Sequence, residues 1–377
     1  MVECNLAKVE VAGSNPVSRS KYFQPLLPRR SRGFCYAVCT SLKNHMRNIF
    51  FTGFQGILNR CLAAVCRGVF FFLVFVLAVS NLGFLNVSAV SAAELRLLAA
   101  TFPIYHLAQR VSAGQSGISL ELMLPAGTGC PHDYALTPQD MQKVAAADVL
   151  LVNGLGLESF LVDRLEEINP NVRVIDTSEG LEGILRKKDG AHAGSTQDFD
   201  THGHDVNPHI FASPSMLAAM GLSLAEKLSL VYPEGQACFA GNAHAYADEL
   251  HSLASDFASM GNRLKNKRIV TQHGVFDYLA RDAGLEVVAV VQEQDGQEPS
   301  AVQMLALVRT IREKQAGAIF TEPQYPDKIG RTLAQESGIP VATLDPVASG
   351  PENAPADYYC TVMRHNLAVL EKTLGTE

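Results

Sequence analysis

The sequence predicts an α/β protein made of two small parallel-sheet (β/α) lobes joined by one long backbone helix. Three observations lead there. Short β-rich runs alternate with helical stretches in two separate blocks, the order that parallel sheets require. Between the blocks, apolar residues recur at steps of three and four, the spacing of one helix face. Both patterns begin only after a basic leader and an apolar run, so the folded part is expected within residues 94–377.

Residues 1–93 read as an N-terminal extension and signal peptide. Residues 1–67 hold ten Lys/Arg against only Glu3 and Glu10, in a chain of 377 residues whose net charge is −7. Everything downstream is therefore strongly acidic, which excludes nucleic acid as a partner because phosphate binding needs clustered Lys and Arg. Arg67 precedes the apolar run 68–79, and small residues follow at 88–93. This layout predicts export and cleavage near Ala92 or Ala93, giving a periplasmic protein that starts near Glu94. Ser80 and Asn81 interrupt the run short of the roughly 20 residues a membrane span needs, which favours a cleaved leader over an anchor. No cysteine follows in the position a lipid anchor requires, and Met46 is a candidate start that keeps Arg47 and Arg60 ahead of the run. The composition, 47% hydrophobic and 18% charged, is that of a globular chain rather than a disordered or fibrous one.

The first lobe, 94–233, carries strand-like runs at 95–102, 118–124, 149–153 and 172–176, with helical stretches at 105–113 and 137–146 between them. A linking helix, 234–266, starts after Pro233. Its apolar residues Ala243, Tyr246, Leu250, Leu253, Phe257, Met260 and Leu264 make one continuous stripe, and a helix of that length spans both lobes and stiffens their connection. The second lobe, 267–377, repeats the plan with strands at 268–272, 286–291, 316–321 and 340–344 and helices near 275–283, 301–314 and 328–337. Within the first lobe, 186–206 changes character: it holds His192, His202, His204 and four Asp with hardly an apolar residue. Such a segment cannot join a core, and its composition predicts a mobile loop suited to weak, exchangeable metal contacts; a plain solvated loop is the bland reading.

Five of the eight cysteines lie ahead of residue 94, leaving Cys130, Cys238 and Cys360, whose spacing matches neither a zinc ribbon nor a redox pair. The chemistry rests on histidines and carboxylates. His132 falls between a strand and a helix, His209 follows Asn207 and Pro208, and His273 follows a strand, while Glu322 and Asp345 sit at the carboxyl ends of two later strands. Ligands of open α/β sheets bind beyond those strand ends, so five potential ligands drawn from both lobes describe a metal site in the interdomain cleft. Singly each is weak, since a histidine before a helix is commonly a surface hydrogen bonder and a strand-end carboxylate commonly caps a helix.

Several motifs in one order resemble the metal-binding solute-binding proteins of zinc and manganese ABC importers, the cluster A-I family, over nearly the whole chain after the leader. They are Pro131 to Tyr134, Pro208 to Ile210, Gln272 and His273 with Phe276 and Tyr278, Glu298 to Ser300, Thr321 to Gln324, and Leu344 to Pro346. The resemblance implies a metal held between the lobes by His132, His209 and His273, with Asp345 as the fourth ligand. It also implies extracytoplasmic capture of zinc for an ABC permease and its ATPase in the inner membrane, by a monomer that is not an enzyme. Three imidazoles with at most one carboxylate favour tetrahedral zinc, whereas manganese takes more oxygen; family members of the manganese type usually place a Glu where this chain has His273. Glu322 then orients a ligand imidazole, and Cys130 either joins the metal or simply packs. The loop with His192, His202 and His204 resembles the His-rich insertions of zinc-type members, with a role in gathering or sensing zinc. Gly274 and Phe211 depart from the family pattern, which often has Asp and Trp there. A manganese-binding importer component and a metal-scavenging adhesin are the alternatives. A zinc hydrolase is disfavoured because neither HExxH nor GxSxG occurs.

Overall fold

The computed structural model describes residues 94–129, 131, 134–162, 164–186, 206–292 and 298–375. The leader, Cys130, His132 and the loop histidines His192, His202 and His204 lie outside the described residues.

In the first lobe, β1 (Leu95–Ala99), β2 (Ile118–Leu122), β3 (Val149–Val152) and β4 (Arg173–Asp176) form a parallel sheet in the order β2-β1-β3-β4. The connections are α1 (Phe102–Val111), α2 (Pro138–Ala146) and two single-turn helices, α3 (Ser159–Val162) and α4 (Leu165–Ile168). Helix α5 (Pro214–Val231) closes the lobe. The second lobe repeats the arrangement: β5 (Arg268–Thr271), β6 (Glu286–Val290), β7 (Ala318–Thr321) and β8 (Val341–Thr343) pair in parallel as β6-β5-β7-β8. Between them and joining them is α6 (Gln236–Arg263), about 42 Å long at 1.5 Å per residue. The second lobe's helices are α7 (Asp277–Ala283), α8 (Ala301–Glu313), α9 (Lys328–Ser337) and the terminal α10 (Tyr358–Leu374).

Alternation along the strands makes each sheet the middle of three layers. Leu97, Ala99, Val149, Leu151 and Ile175 face a core shared with α6, whereas Leu98, Ala100, Leu150 and Val152 face the opposite core. In the second sheet Ile269, Ala318 and Phe320 join the shared core, and Val270 and Ile319 point away from it. The seven stripe residues of the linking helix are all buried, so one continuous core runs from lobe to lobe along α6.

Strand starts and stops match the sequence patterns to within a few residues, and the differences have local causes. Helix α1 begins at Phe102 rather than 105 because Pro103 stands in its first turn, where a missing N–H costs nothing. Besides the single-turn α3 and α4, two long helices escape a reading based on one-sided patterns. Helix α5 is apolar on several faces, burying nine of its residues, so it has no polar stripe to reveal its period. Helix α10 has an amphipathic face but follows a strand end rich in turn residues. Arg186 and Val206 form an isolated antiparallel bridge. No helix among the described residues is long and apolar enough to cross a membrane.

Bonds cross from lobe to lobe at several places. The Gly350 N–H donates to the Ala126 carbonyl at 3.0 Å, the Tyr359 hydroxyl to the Phe211 carbonyl at 3.0 Å, and the Arg110 guanidinium to the Ala356 carbonyl at 3.3 Å. His106 Nε2 meets the Pro355 carbonyl at 3.1 Å, beside the rings of Phe102 and Tyr358. A Cβ on Gly350 would fall 2.2 Å from the Phe102 ring, so only glycine lets this segment lie flat on α1.

Candidate metal centre

In both sheets the chain runs outward from the first strand and then crosses to the other side, so the topological switch lies between β1 and β3 and between β5 and β7. His273 follows β5 by two residues and Glu322 follows β7 directly, which sets both at the second sheet's switch point. There His273 Nδ1 lies 2.6 Å from Glu322 Oε1, with both side chains only 1% exposed. A carboxylate only accepts, so Nδ1 carries the hydrogen, and Nε2 holds the lone pair when the ring is neutral. Tyr325 packs edge-on against His273 at 5.6 Å between centroids.

His209 arrives from the first lobe, at the start of the 3₁₀ turn Ile210–Ala212, and is likewise buried. Its ring stands 5.0 Å from that of His273 at an interplanar angle of 82°. The turn preceding it is pinned from two directions. The Asn153 amide, at the end of β3, donates to the Pro208 carbonyl at 2.9 Å. On the other side, Asn207 Oδ1 lies 2.8 Å from His209 Nδ1, and Tyr278 donates its hydroxyl hydrogen to the Asn207 carbonyl at 2.7 Å. Asn153 is held in turn by Glu158, whose carboxyl group accepts the Asn153 and Gly154 N–H groups at 2.8 and 3.1 Å. Burial pushes the Glu158 carboxyl up to about 7, against the downward pull of those two N–H bonds. Gly154, at φ +87°, is required here, since a Cβ would fall 2.0 Å from Asp176 Oδ1.

Asp345 follows β8, the strand beside β7. Its Oδ1 accepts the Val347 N–H at 2.8 Å, and burial raises its pKa, opposed by that bond and by one from Gln324. Asn366 brackets its backbone, accepting from the Asp345 N–H at 3.0 Å and donating to its carbonyl at 2.7 Å. The structure thus pairs His209 with His273 and His273 with Glu322, and sets Asp345 just past the neighbouring strand. Among the described residues no three His, Cys, Asp or Glu side chains gather as a metal cluster; His132 and Cys130 lie outside those residues. The sequence reading missed Asn207, Asn153 and Glu158 as parts of the site. An Asn before Pro and a Glu after a Gly-rich turn read as ordinary loop chemistry, and only tertiary contact reveals their partners.

Two like parallel-sheet α/β lobes share one long helix, and an imidazole from each lobe meets the other between them. The chain belongs to the family described as zinc-uptake complex component A, periplasmic (ZnuA), whose model matches residues 97–373. It is 27% identical over 288 residues to the zinc-binding lipoprotein AdcA of Streptococcus pneumoniae (strain ATCC BAA-255 / R6), covering 75% of this chain and 56% of that protein. The chain therefore spans about half the length of the AdcA relatives it matches. It is 23% identical over 284 residues to the high-affinity zinc uptake system protein ZnuA of Bacillus subtilis (strain 168), covering 74% of this chain and 88% of the other. Among solved structures, the solute-binding protein FpvC of Pseudomonas aeruginosa in complex with Mn2+ superposes with a TM-score of 0.65 at 28% identity, covering 74% of this chain and 98% of that one.

Proposed function

We propose that this protein captures zinc outside the inner membrane and delivers it to an ABC permease and its ATPase, working as a monomer in the periplasm after cleavage near Ala92 or Ala93. His132, His209 and His273 supply the imidazoles and Asp345 the fourth ligand, with Glu322 holding His273 in register. His192, His202 and His204 gather zinc on the loop. No bond of a substrate is made or broken. The observation that carries this reading is that two buried imidazoles from different lobes stand 5.0 Å apart, one backed by a carboxylate and the other by an amide. A zinc ion accepts imidazole nitrogens at about 2.0–2.1 Å and is satisfied by this donor type. Membership of a zinc-uptake family and likeness to zinc-binding relatives support the choice of metal.

The FpvC neighbours were solved with Mn2+ and with Ni2+, which makes those two ions the competitors to test. Elemental analysis of the purified protein, followed by competition titration with zinc, manganese and nickel, is expected to give one zinc per chain in preference to manganese. Tighter binding of manganese would overturn the zinc assignment. Imidazoles must be neutral to ligate, so zinc affinity is expected to fall as the pH drops below roughly 6.5; an affinity unchanged from pH 7.5 to 5.5 would contradict a three-histidine site. Replacing His209 by Ala is expected to weaken zinc by orders of magnitude.

A further inference from the structure

We propose that Asn207 is the positioning residue of the crevice: it fixes the His209 ring in the Nδ1–H form and fastens its loop to the loop of His273 in the other lobe. The inference rests on the reading of His209 as a metal ligand and adds what selects the nitrogen it presents.

The amide of Asn207 is oriented without ambiguity by three neighbours. Its Oδ1 receives the His209 backbone N–H at 3.0 Å, and a backbone N–H can only donate. Its Nδ2 faces two groups that can only accept, the Gly274 carbonyl at 2.7 Å and Asp277 Oδ2 at 3.0 Å. A flipped amide would set nitrogen against the N–H and oxygen against both acceptors. The atom 2.8 Å from His209 Nδ1 is therefore oxygen, and Nδ1 must carry the hydrogen it accepts. In the neutral ring this makes Nε2 the nitrogen with the lone pair, the same polarity that Glu322 imposes on His273.

Nδ2 does separate work. Gly274 immediately follows His273, and Asp277 opens α7, so the two donor bonds tie the His209 turn to the segment that carries the second imidazole. One neutral side chain, 3% exposed, thus serves both imidazoles: it sets the tautomer of one directly and the backbone position beside the other.

The test is long-range 1H–15N NMR of histidine-labelled, zinc-stripped protein at pH 8, with His209 assigned by its absence in His209→Ala, together with zinc competition titration. The native protein is expected to show His209 as Nδ1–H. Asn207→Ala is expected to lose that single tautomer and 10–100-fold in zinc affinity. Asn207→Asp keeps an acceptor for the ring and for the His209 N–H but offers no hydrogen to Gly274 or Asp277; it is expected to retain the tautomer and recover part of the lost affinity. If Asn207→Ala does not fold, Asn207→Asp carries the test alone, and His209 in the Nε2–H form in that variant overturns the proposal. An Asn207→Ala protein with native tautomer and affinity overturns it as well. The His209→Ala variant separates the two readings: unchanged zinc binding there defeats the ligand assignment, whereas lost binding there with an unaffected Asn207→Ala defeats only the role of Asn207.

Discussion

The linking helix contains two glycines whose replacement by alanine should have opposite signs. Gly241 lies on the exposed side of α6 with nothing within 4 Å of an added Cβ. Gly261 is buried where α6 passes the end of α7, and its Cβ would fall 1.7 Å from the Ala283 carbonyl oxygen. In a helix interior alanine is favoured over glycine by about 1 kcal/mol, so Gly241→Ala should raise the melting temperature by roughly 2–4 °C. At Gly261 the same gain is opposed by a contact that must open from 1.7 Å to about 3.3 Å, the ordinary carbon–oxygen separation. The oxygen belongs to backbone, held by the left-handed cap at Gly284, and has no rotamer to escape into. Taking about 3 kcal/mol, the upper end of overpacking costs, the net loss is about 2 kcal/mol, or a fall of roughly 4–8 °C. Scanning calorimetry of both variants beside the native protein decides the matter. Two upward shifts would mean that α6 and α7 are not in this close approach, and the shared-core description would fail with it.

Three further outcomes follow from the same structure. Glu322→Ala should weaken zinc 10–100-fold by leaving the His273 Nδ1–H without its carboxylate, and Glu322→Gln, which keeps an acceptor oxygen, should lie between it and the native protein; a competition titration ranking Gln below Ala would refute that role. Burial holds the His106 pKa below its ordinary 6.5, with Arg110 lowering it and the Pro355 carbonyl and Asp357 raising it. The unfolded chain then binds the proton first, so His106 favours folding above about pH 6.5, and stability is lost as the pH falls through its folded value. The slope is at most about 1.4 kcal/mol per pH unit; urea midpoints from pH 7.5 to 5.0 should decline less for His106→Gln than for the native protein, and parallel declines would remove His106 as the cause. Thr137 and Asp140 form a reciprocal capping box on α2, so Thr137→Ala should cost about 1 kcal/mol in urea unfolding, and a neutral result would show the cap to be idle.

Much of the architecture was legible because it is written in local period. All seven residues of the stripe from Ala243 to Leu264 are buried, and each β-run identified by composition is a strand of a parallel sheet. The parallel order also made the strand ends informative, and His273 and Glu322 do meet there. What stayed hidden depends on pairings across long stretches of chain. Nothing near Asn207 in sequence announces Gly274, and nothing near Glu158 announces that its carboxyl group steadies Asn153, which steadies Pro208. Helix α5 was invisible for a different reason: a helix buried on several faces has no polar side to mark its turn.

The stitches between the lobes have a thermodynamic consequence for a carrier. A receptor that swings shut spends part of its ligand's binding energy on the swing, and that share returns when it opens. Here Gly350, His106, Tyr359 and Asn207 already span the seam, so rotating one half against the other would first break several hydrogen bonds that are buried or partly buried. On the proposed reading, cargo in such a frame would be held by local contacts, and its receiver would have to loosen individual loops rather than wait for a jaw to open.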